Sequence, residues 1–216
     1  MKNEDKHIQK LIEEGEHQQL DFKFEISDSR RIARSLAAFA NTDGGRLLVG
    51  VKDNGAIAGV RSDEEIHMIQ AAAEMYCQPQ VNYLTKEWEI NGKTVLEVII
   101  PKDEHNKHKA PDNQGKYKIF VRVNDENLVA DPILLKVWKF QKTRKFNKVS
   151  FTEPEMALLH YLSEHSSITL REFMELTPII NKRRAENILI NFILIGTISL
   201  HMTSQGSFFQ INKGTE

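Results

Sequence analysis

The sequence predicts an α+β protein: a mixed sheet with helices, followed by a small helical domain that closes on a two-stranded ribbon. Three observations carry this. Apolar and polar residues alternate in short runs separated by Asx-Gly turns, the period of half-buried strands. Other runs repeat at three- and four-residue spacing, the period of amphipathic helices. The charge balance also changes sign along the chain: residues 1–135 hold 18 Lys+Arg against 23 Asp+Glu, a net −5, whereas residues 136–216 hold 11 against 7, a net +4. The expected organisation is an α+β domain over 1–135, a basic helical linker over 136–150 and a second domain over 151–216.

Residues 4–14 hold too few apolar side chains for more than a short amphipathic helix. Residues 20–24, LDFKF, alternate apolar and charged side chains, as a strand with one buried face does. Ile32, Leu36 and Phe39 then fall at i, i+4 and i+7 behind Asp28 or Ser29 as N-cap, which predicts a helix over 28–40. Gly44 and Gly45 end that helix and reverse the chain, because glycine takes positive φ cheaply. The apolar run 46–51 follows, and Asp53-Asn54-Gly55 predicts a hairpin pairing it with residues 56–60. Residues 63–76 have an acidic first turn and apolar spacing at Ile66, Ile69, Ala73 and Tyr76, a helix that stops before Pro79. Asn91-Gly92 joins 81–90 to 93–100 as a second hairpin, and 118–123 is a further strand.

Residues 136–148 carry six basic side chains and no acid, interleaved with Trp138, Phe140 and Phe146, and read as a helix running into the linker. Thr152, Pro154 and Glu155 form a capping-box pattern that opens a helix. A second helix begins near Thr169, and a third runs from Asn181 to a stop at Gly196. Two short strands flank Ser204-Gln205-Gly206. Three helices followed by a ribbon is the winged-helix order, so 151–216 is expected to form a winged helix-turn-helix.

Composition narrows the function classes. The single Cys77 excludes a disulfide framework and any multi-cysteine zinc site, as suits a reducing compartment. No apolar run approaches the roughly 20 residues that cross a bilayer, and the charged N-terminus is unlike a secretory signal, so the expected location is the cytoplasm with no membrane partner. A P-loop pattern is lacking, and the glycines at 50, 55 and 59 do not form a dinucleotide fingerprint. His105 and His108 sit in a charged loop without a companion ligand set and read as solvated.

The third helix of the tail points most directly to a partner. Lys182, Arg183 and Arg184 crowd its first turn, while its second half is apolar nearly all round. Basic residues at a helix N-terminus oppose the macrodipole, so helix stability does not account for them. A helix-turn-helix reader presents this end to the major groove. Asn187 and Asn191 lie on the polar side for base contacts, with Lys182, Arg183 and Arg184 for phosphates and Lys142, Arg144 and Lys145 of the linker as further basic contacts. A solvated basic face used for protein contact is the alternative. The apolar half of the helix implies a second neighbour, either a deep core or a dimer interface.

The stretch EHQQLDFKFE…RIARSLAAFANTDGGRLLVGVKDNGAIAGV resembles the AlbA-2 domain, the Schlafen-type module of bacterial proteins. The matching positions include Glu16, Asp21, Phe22, Lys23, Ala38–Ala40, Asn41, Thr42, Gly44, Gly45, Gly50, Val51, Asp53, Gly55 and Gly59, and residues 120–131 resemble the closing strand and turn of the module. The resemblance covers about 10–135. It implies an α+β fold and nucleic-acid binding, commonly ahead of a winged-helix tail in bacterial transcriptional regulators, and a homodimer where relatives pair two modules in one chain. It implies an alternative as well: in nuclease relatives the positions of Glu16, Asp21 and Asp53 hold a divalent ion, here Mg or Mn, although Asp21 stands where Glu is common. Asn41, Thr42, Gly44 and Gly45 form either an architectural joint or a phosphate cradle. The reading that follows is a DNA-binding transcriptional regulator partnered by duplex DNA, with a metal-dependent nuclease acting on structured RNA or DNA as the alternative.

Overall fold

Seven helices and nine strands form among residues 3–60, 62–143 and 151–212, which the computed structural model describes. The chain divides into two units, Met1–Val129 and Ala130–Glu216. In the first, α1 (Asn3–Glu14) leads through β1 (Leu20–Lys23), α2 (Ser29–Asn41), β2 (Gly45–Val49) and α3 (Glu64–Glu74) to β3 (Leu84–Ile90), β4 (Lys93–Ile100), β5 (Lys109–Pro111), β6 (Tyr117–Val123) and β7 (Glu126–Val129). One sheet has the order β1-β2-β4-β3, parallel only between β1 and β2; the other, β5-β6-β7, is antiparallel.

Helix α2 lies between the two sheets. The stripe of Ile32, Leu36 and Phe39 accounts for one buried face, but Ala33, Ala37, Ala38 and Ala40 are buried too, because their small side chains let strands approach on the other faces. On β4, Leu96, Val98 and Ile100 join this core, while Val95 belongs to a second cluster with Ile8 and Leu11 of α1, Phe22 and Leu48. The period-2 alternation thus buries both faces of the sheet.

The hairpin expected from Asp53-Asn54-Gly55 is reduced to one bridge, Val51 to Ile57. Strand β2 instead pairs with β1 on one edge and β4 on the other, which leaves its backbone no free edge for residues 56–60. His108 also departs from the solvated reading. It is 2% exposed, with Nδ1 2.8 Å from the Pro79 carbonyl and Nε2 3.0 Å from Asp103 Oδ2. The Asn106 N–H, then the His105 N–H and the Asn106 and His108 side chains, hold the Asp103 carboxyl well below the usual carboxylate range against the opposing effect of burial.

In the second unit, α4 (Pro132–Thr143), α5 (Glu153–Glu164), α6 (Leu170–Leu176) and α7 (Lys182–Leu194) precede the ribbon of β8 (Ile198–Thr203) and β9 (Gly206–Ile211). Ile133 and Val137 of α4 enter one core with Leu158, Phe173, Ile188, Leu189, Phe192 and Phe209. The segment expected as a linker from residue 136 therefore begins inside a core helix, and its remainder, 144–150, lies outside the described residues. Thr169 and Glu172 close a full capping box on α6. At Thr152 the hydroxyl reaches the Glu155 carboxylate instead of a backbone N–H. No helix among the described residues is long and apolar enough to cross a membrane.

Because Asp103 is more acidic folded than unfolded, its charge adds stability above the ordinary aspartate value, about 3.9, and that stability is lost as the pH falls through the folded value. Urea denaturation across pH is expected to show wild type ahead of Asp103→Asn at neutral pH, with the lead shrinking below about pH 4.

Candidate nucleic-acid interface

Helix α7 is wet at one end and anchored at the other. Asn181 caps it by accepting the Arg184 N–H at 2.9 Å, and Lys182 and Arg183 are exposed and make no ion pair among the described residues. Arg184 differs from the expectation of a phosphate contact: its guanidinium lies 2.6 Å from Glu155 Oε1 on α5, a carboxylate only 6% exposed. It points back over the unit because a buried acid needs a partner. Glu186, two residues on, pairs with Lys136 of α4 at 2.5 Å. Arg183, Asn187 and Asn191 follow at i, i+4 and i+8 on one stripe, both asparagines half-buried. Ile188, Leu189, Ile190 and Phe192 are buried within the unit, with α4 as the second neighbour that the apolar half of the helix implies. Lys142 lies in the last turn of α4, where it complements the helix dipole; Arg144 and Lys145 lie outside the described residues.

The Asn-Thr-Asp-Gly-Gly turn directs its polar groups inward. The buried Asn41 amide donates to the His108 and Phe120 carbonyls, both at 2.8 Å, and accepts the His108 N–H at 2.7 Å. The Thr42 hydroxyl donates to the Ala38 carbonyl at 2.8 Å and accepts the Arg122 N–H at 3.0 Å. The Thr42 and Gly44 N–H groups both go to the Phe39 carbonyl. Gly44 has φ +69°, and a Cβ there would sit 2.9 Å from the Ile100 oxygen; one on Gly45 would sit 2.4 Å from the Phe39 ring. An anion cradle needs outward N–H groups, and those of Thr42 and Gly44 are spent within the fold.

Glu16 and Asp21 come together, and Asp53 does not join them. The half-buried Glu16 accepts the Phe22 N–H at 2.8 Å and hydrogen-bonds the Asp21 carboxyl. Burial first, and that hydrogen bond second, push the Glu16 carboxyl above its ordinary value. Asp21 is buried, with Lys23 Nζ 2.7 Å from Oδ2 and Arg122 Nη2 3.3 Å from Oδ1. Asp53 is exposed in the turn after β2. No group of three or more His, Cys, Asp or Glu side chains among the described residues is placed to hold a metal ion. This donor set does not fit a divalent cation, since Asp21 already faces two cations, Lys23 and Arg122.

Two buried charges were missed by the sequence reading. Arg122 is 1% exposed; its guanidinium lies 5.0 Å from the Phe39 ring centre and bonds Asp21, the Leu20 carbonyl and Asn127. The signal was its period-2 spacing from Phe120, which puts both on the α2 side of β6. Glu97, also buried, accepts from Trp88 Nε1 at 2.9 Å and pairs with Arg46 Nε at 2.9 Å and His7 Nε2 at 3.2 Å. Its signal was a lone acid inside the apolar run VLEVII.

The family described as Schlafen, AlbA_2 matches residues 16–131. Among solved structures the chain is similar to the DIP2311 protein from Corynebacterium diphtheriae, at 18% identity and a TM-score of 0.43, over 89% of this chain and 34% of that one, so that it spans about a third of that protein's length. It is also similar to the N-terminal domain of a RecG-related protein from Nitrosomonas europaea, at 19% identity and a TM-score of 0.37, over 61% and 97% of the two chains. No curated protein matches significantly.

Three outcomes are expected. Gly45→Ala should lower unfolding free energy by about 1–3 kcal/mol through overpacking against Phe39. Arg184→Ala should cost about 1–3 kcal/mol, between the exposed and buried ion-pair limits, whereas Lys182→Ala and Arg183→Ala should leave the melting temperature unchanged or slightly raised. Glu16, less acidic folded than unfolded, adds stability below the unfolded value, about 4.3, and loses it as the pH rises through the folded value. Wild type should accordingly fall behind Glu16→Gln in urea denaturation as the pH is raised from about 4 to about 7.

Proposed function

The chain belongs to the Schlafen, AlbA_2 family, and from that premise we propose that it is a DNA-binding regulator of transcription. The second unit acts as a winged helix-turn-helix that lays the start of α7 in the major groove of duplex DNA, and the AlbA_2 unit adds a second nucleic-acid or effector surface. One observation carries this reading: Lys182 and Arg183 are exposed and make no ion pair among the described residues, at the helix end where positive charge is least favourable to the helix itself. Phosphates would supply the missing negative charge. Base contacts fall to Asn187 and Asn191, on the stripe of Arg183, as an asparagine amide can pair with adenine. Arg184 is a brace between α5 and α7 and stands outside the contact set. The ribbon supports the reading too: residues 198–211 contain no acidic side chain, so nothing on it repels a phosphate backbone.

The test is fluorescence anisotropy with a labelled duplex over a range of potassium chloride. Each phosphate contact contributes about 0.9 to the slope of log affinity against log salt, so the Lys182→Ala/Arg183→Ala double variant should bind more weakly, with a slope smaller by about 1.8. Arg184→Ala, where it stays folded, should keep the wild-type slope. Equal affinity and slope in the double variant and wild type would overturn the assignment.

A further inference from the structure

We infer that the Lys23 ammonium takes the place of a divalent cation at the Glu16–Asp21 pair, and that the native protein leaves these carboxyls free of metal. Strand geometry places the substitute there. Asp21 and Lys23 are two apart on β1, so their side chains leave the same face, and Lys23 Nζ reaches Asp21 Oδ2 at 2.7 Å and the Phe22 carbonyl at 2.7 Å. A carboxylate oxygen and a main-chain carbonyl are the hard donors that Mg²⁺ or Mn²⁺ takes. The ammonium of this half-buried side chain hydrogen-bonds the carbonyl and stands within ion-pair distance of the carboxylate oxygen, which has no hydrogen-bond partner among the described residues.

The rest of the site is closed in the same way. Arg122, 1% exposed, claims the other Asp21 oxygen, and Glu16 spends one oxygen on the Phe22 N–H while hydrogen-bonding Asp21. Two positive charges, Lys23 and Arg122, face the Asp21 carboxylate beside Glu16. A divalent ion would add two more within a few ångströms of both, in a partly buried place where like charges are poorly screened. It would need a third carboxylate to compensate, and the candidate, Asp53, is exposed and outside the group.

The experiment uses the full chain and Mn²⁺ alone, with free Mn²⁺ read by electron paramagnetic resonance and folding by thermal melting. Wild type should leave the free-ion signal intact and melt at the same temperature with and without Mn²⁺. Lys23→Ala should change this to uptake of one ion per chain with a raised melting temperature, and adding Asp21→Asn should abolish both. Lys23→Gln, which keeps a donor for the Phe22 carbonyl, carries the same expectation where the alanine variant fails to fold. Uptake of Mn²⁺ by wild type that is lost in Asp21→Asn would overturn the inference, as would a folded Lys23 variant that takes up no Mn²⁺.

Discussion

A helix buried between two sheets has no water in which to end, and the first unit is built around that constraint. The last carbonyls of α2 and the backbone of the turn behind it must be satisfied within the fold. The Thr42 hydroxyl meets the Ala38 carbonyl, the Thr42 and Gly44 N–H groups that of Phe39, and the Asp103 N–H and Lys107 ammonium those of Ala40 and Asn41. The Asn41 amide and Thr42 hydroxyl also reach β6 and the loop before β5, which ties the end of the helix to the second sheet. The glycines follow from the same crowding, since β2 starts where any Cβ would strike Phe39 or the main chain beyond β4. The most recognisable stretch of the sequence is therefore a joint.

That joint also places the buried charges. With β2 seated against α2, β1 lies parallel to it, and Asp21 comes within reach of Arg122 on the opposite sheet. A buried guanidinium is costly unless its charge is met; here Asp21 meets it, with the Phe39 ring alongside. Glu16 accompanies Asp21 at this cluster, so the acids of β1 and the segment before it lie against internal cations. Glu97 does comparable work on the far face of the four-stranded sheet, where it collects His7 from α1, Arg46 from β2 and Trp88 from β3.

The second unit distributes its charges differently. Its internal acids, Glu155 and Glu186, are each paired with a base from another segment, Arg184 and Lys136 respectively. What remains on the first turn of α7 is Lys182 and Arg183, held outward by a helix whose later turns are fixed in the core by α4. Anchoring one end makes the exposed end a rigid presenter of charge, the property that the proposed DNA contact requires.

By itself the sequence determined the elements whose signals are local: the stripe of α2, the Asn91-Gly92 hairpin, the polarity of α7 and the family-specific glycine turn are all set by neighbours a few residues away. Tertiary structure alone decided which strands pair with β2, that Arg122 and His108 are buried, that α4 belongs to a core, and that Arg184 faces Glu155 while Lys182 and Arg183 face outward. Three adjacent basic residues look alike in a sequence. They differ in space because a helix turns about 100° per residue and only one of the three directions meets a buried carboxylate. Likewise Asp21 and Asp53 share a charge but have different surroundings, and it is the cations packed against an acid, Lys23 from the same strand and Arg122 from a distant one, that determine what it can bind.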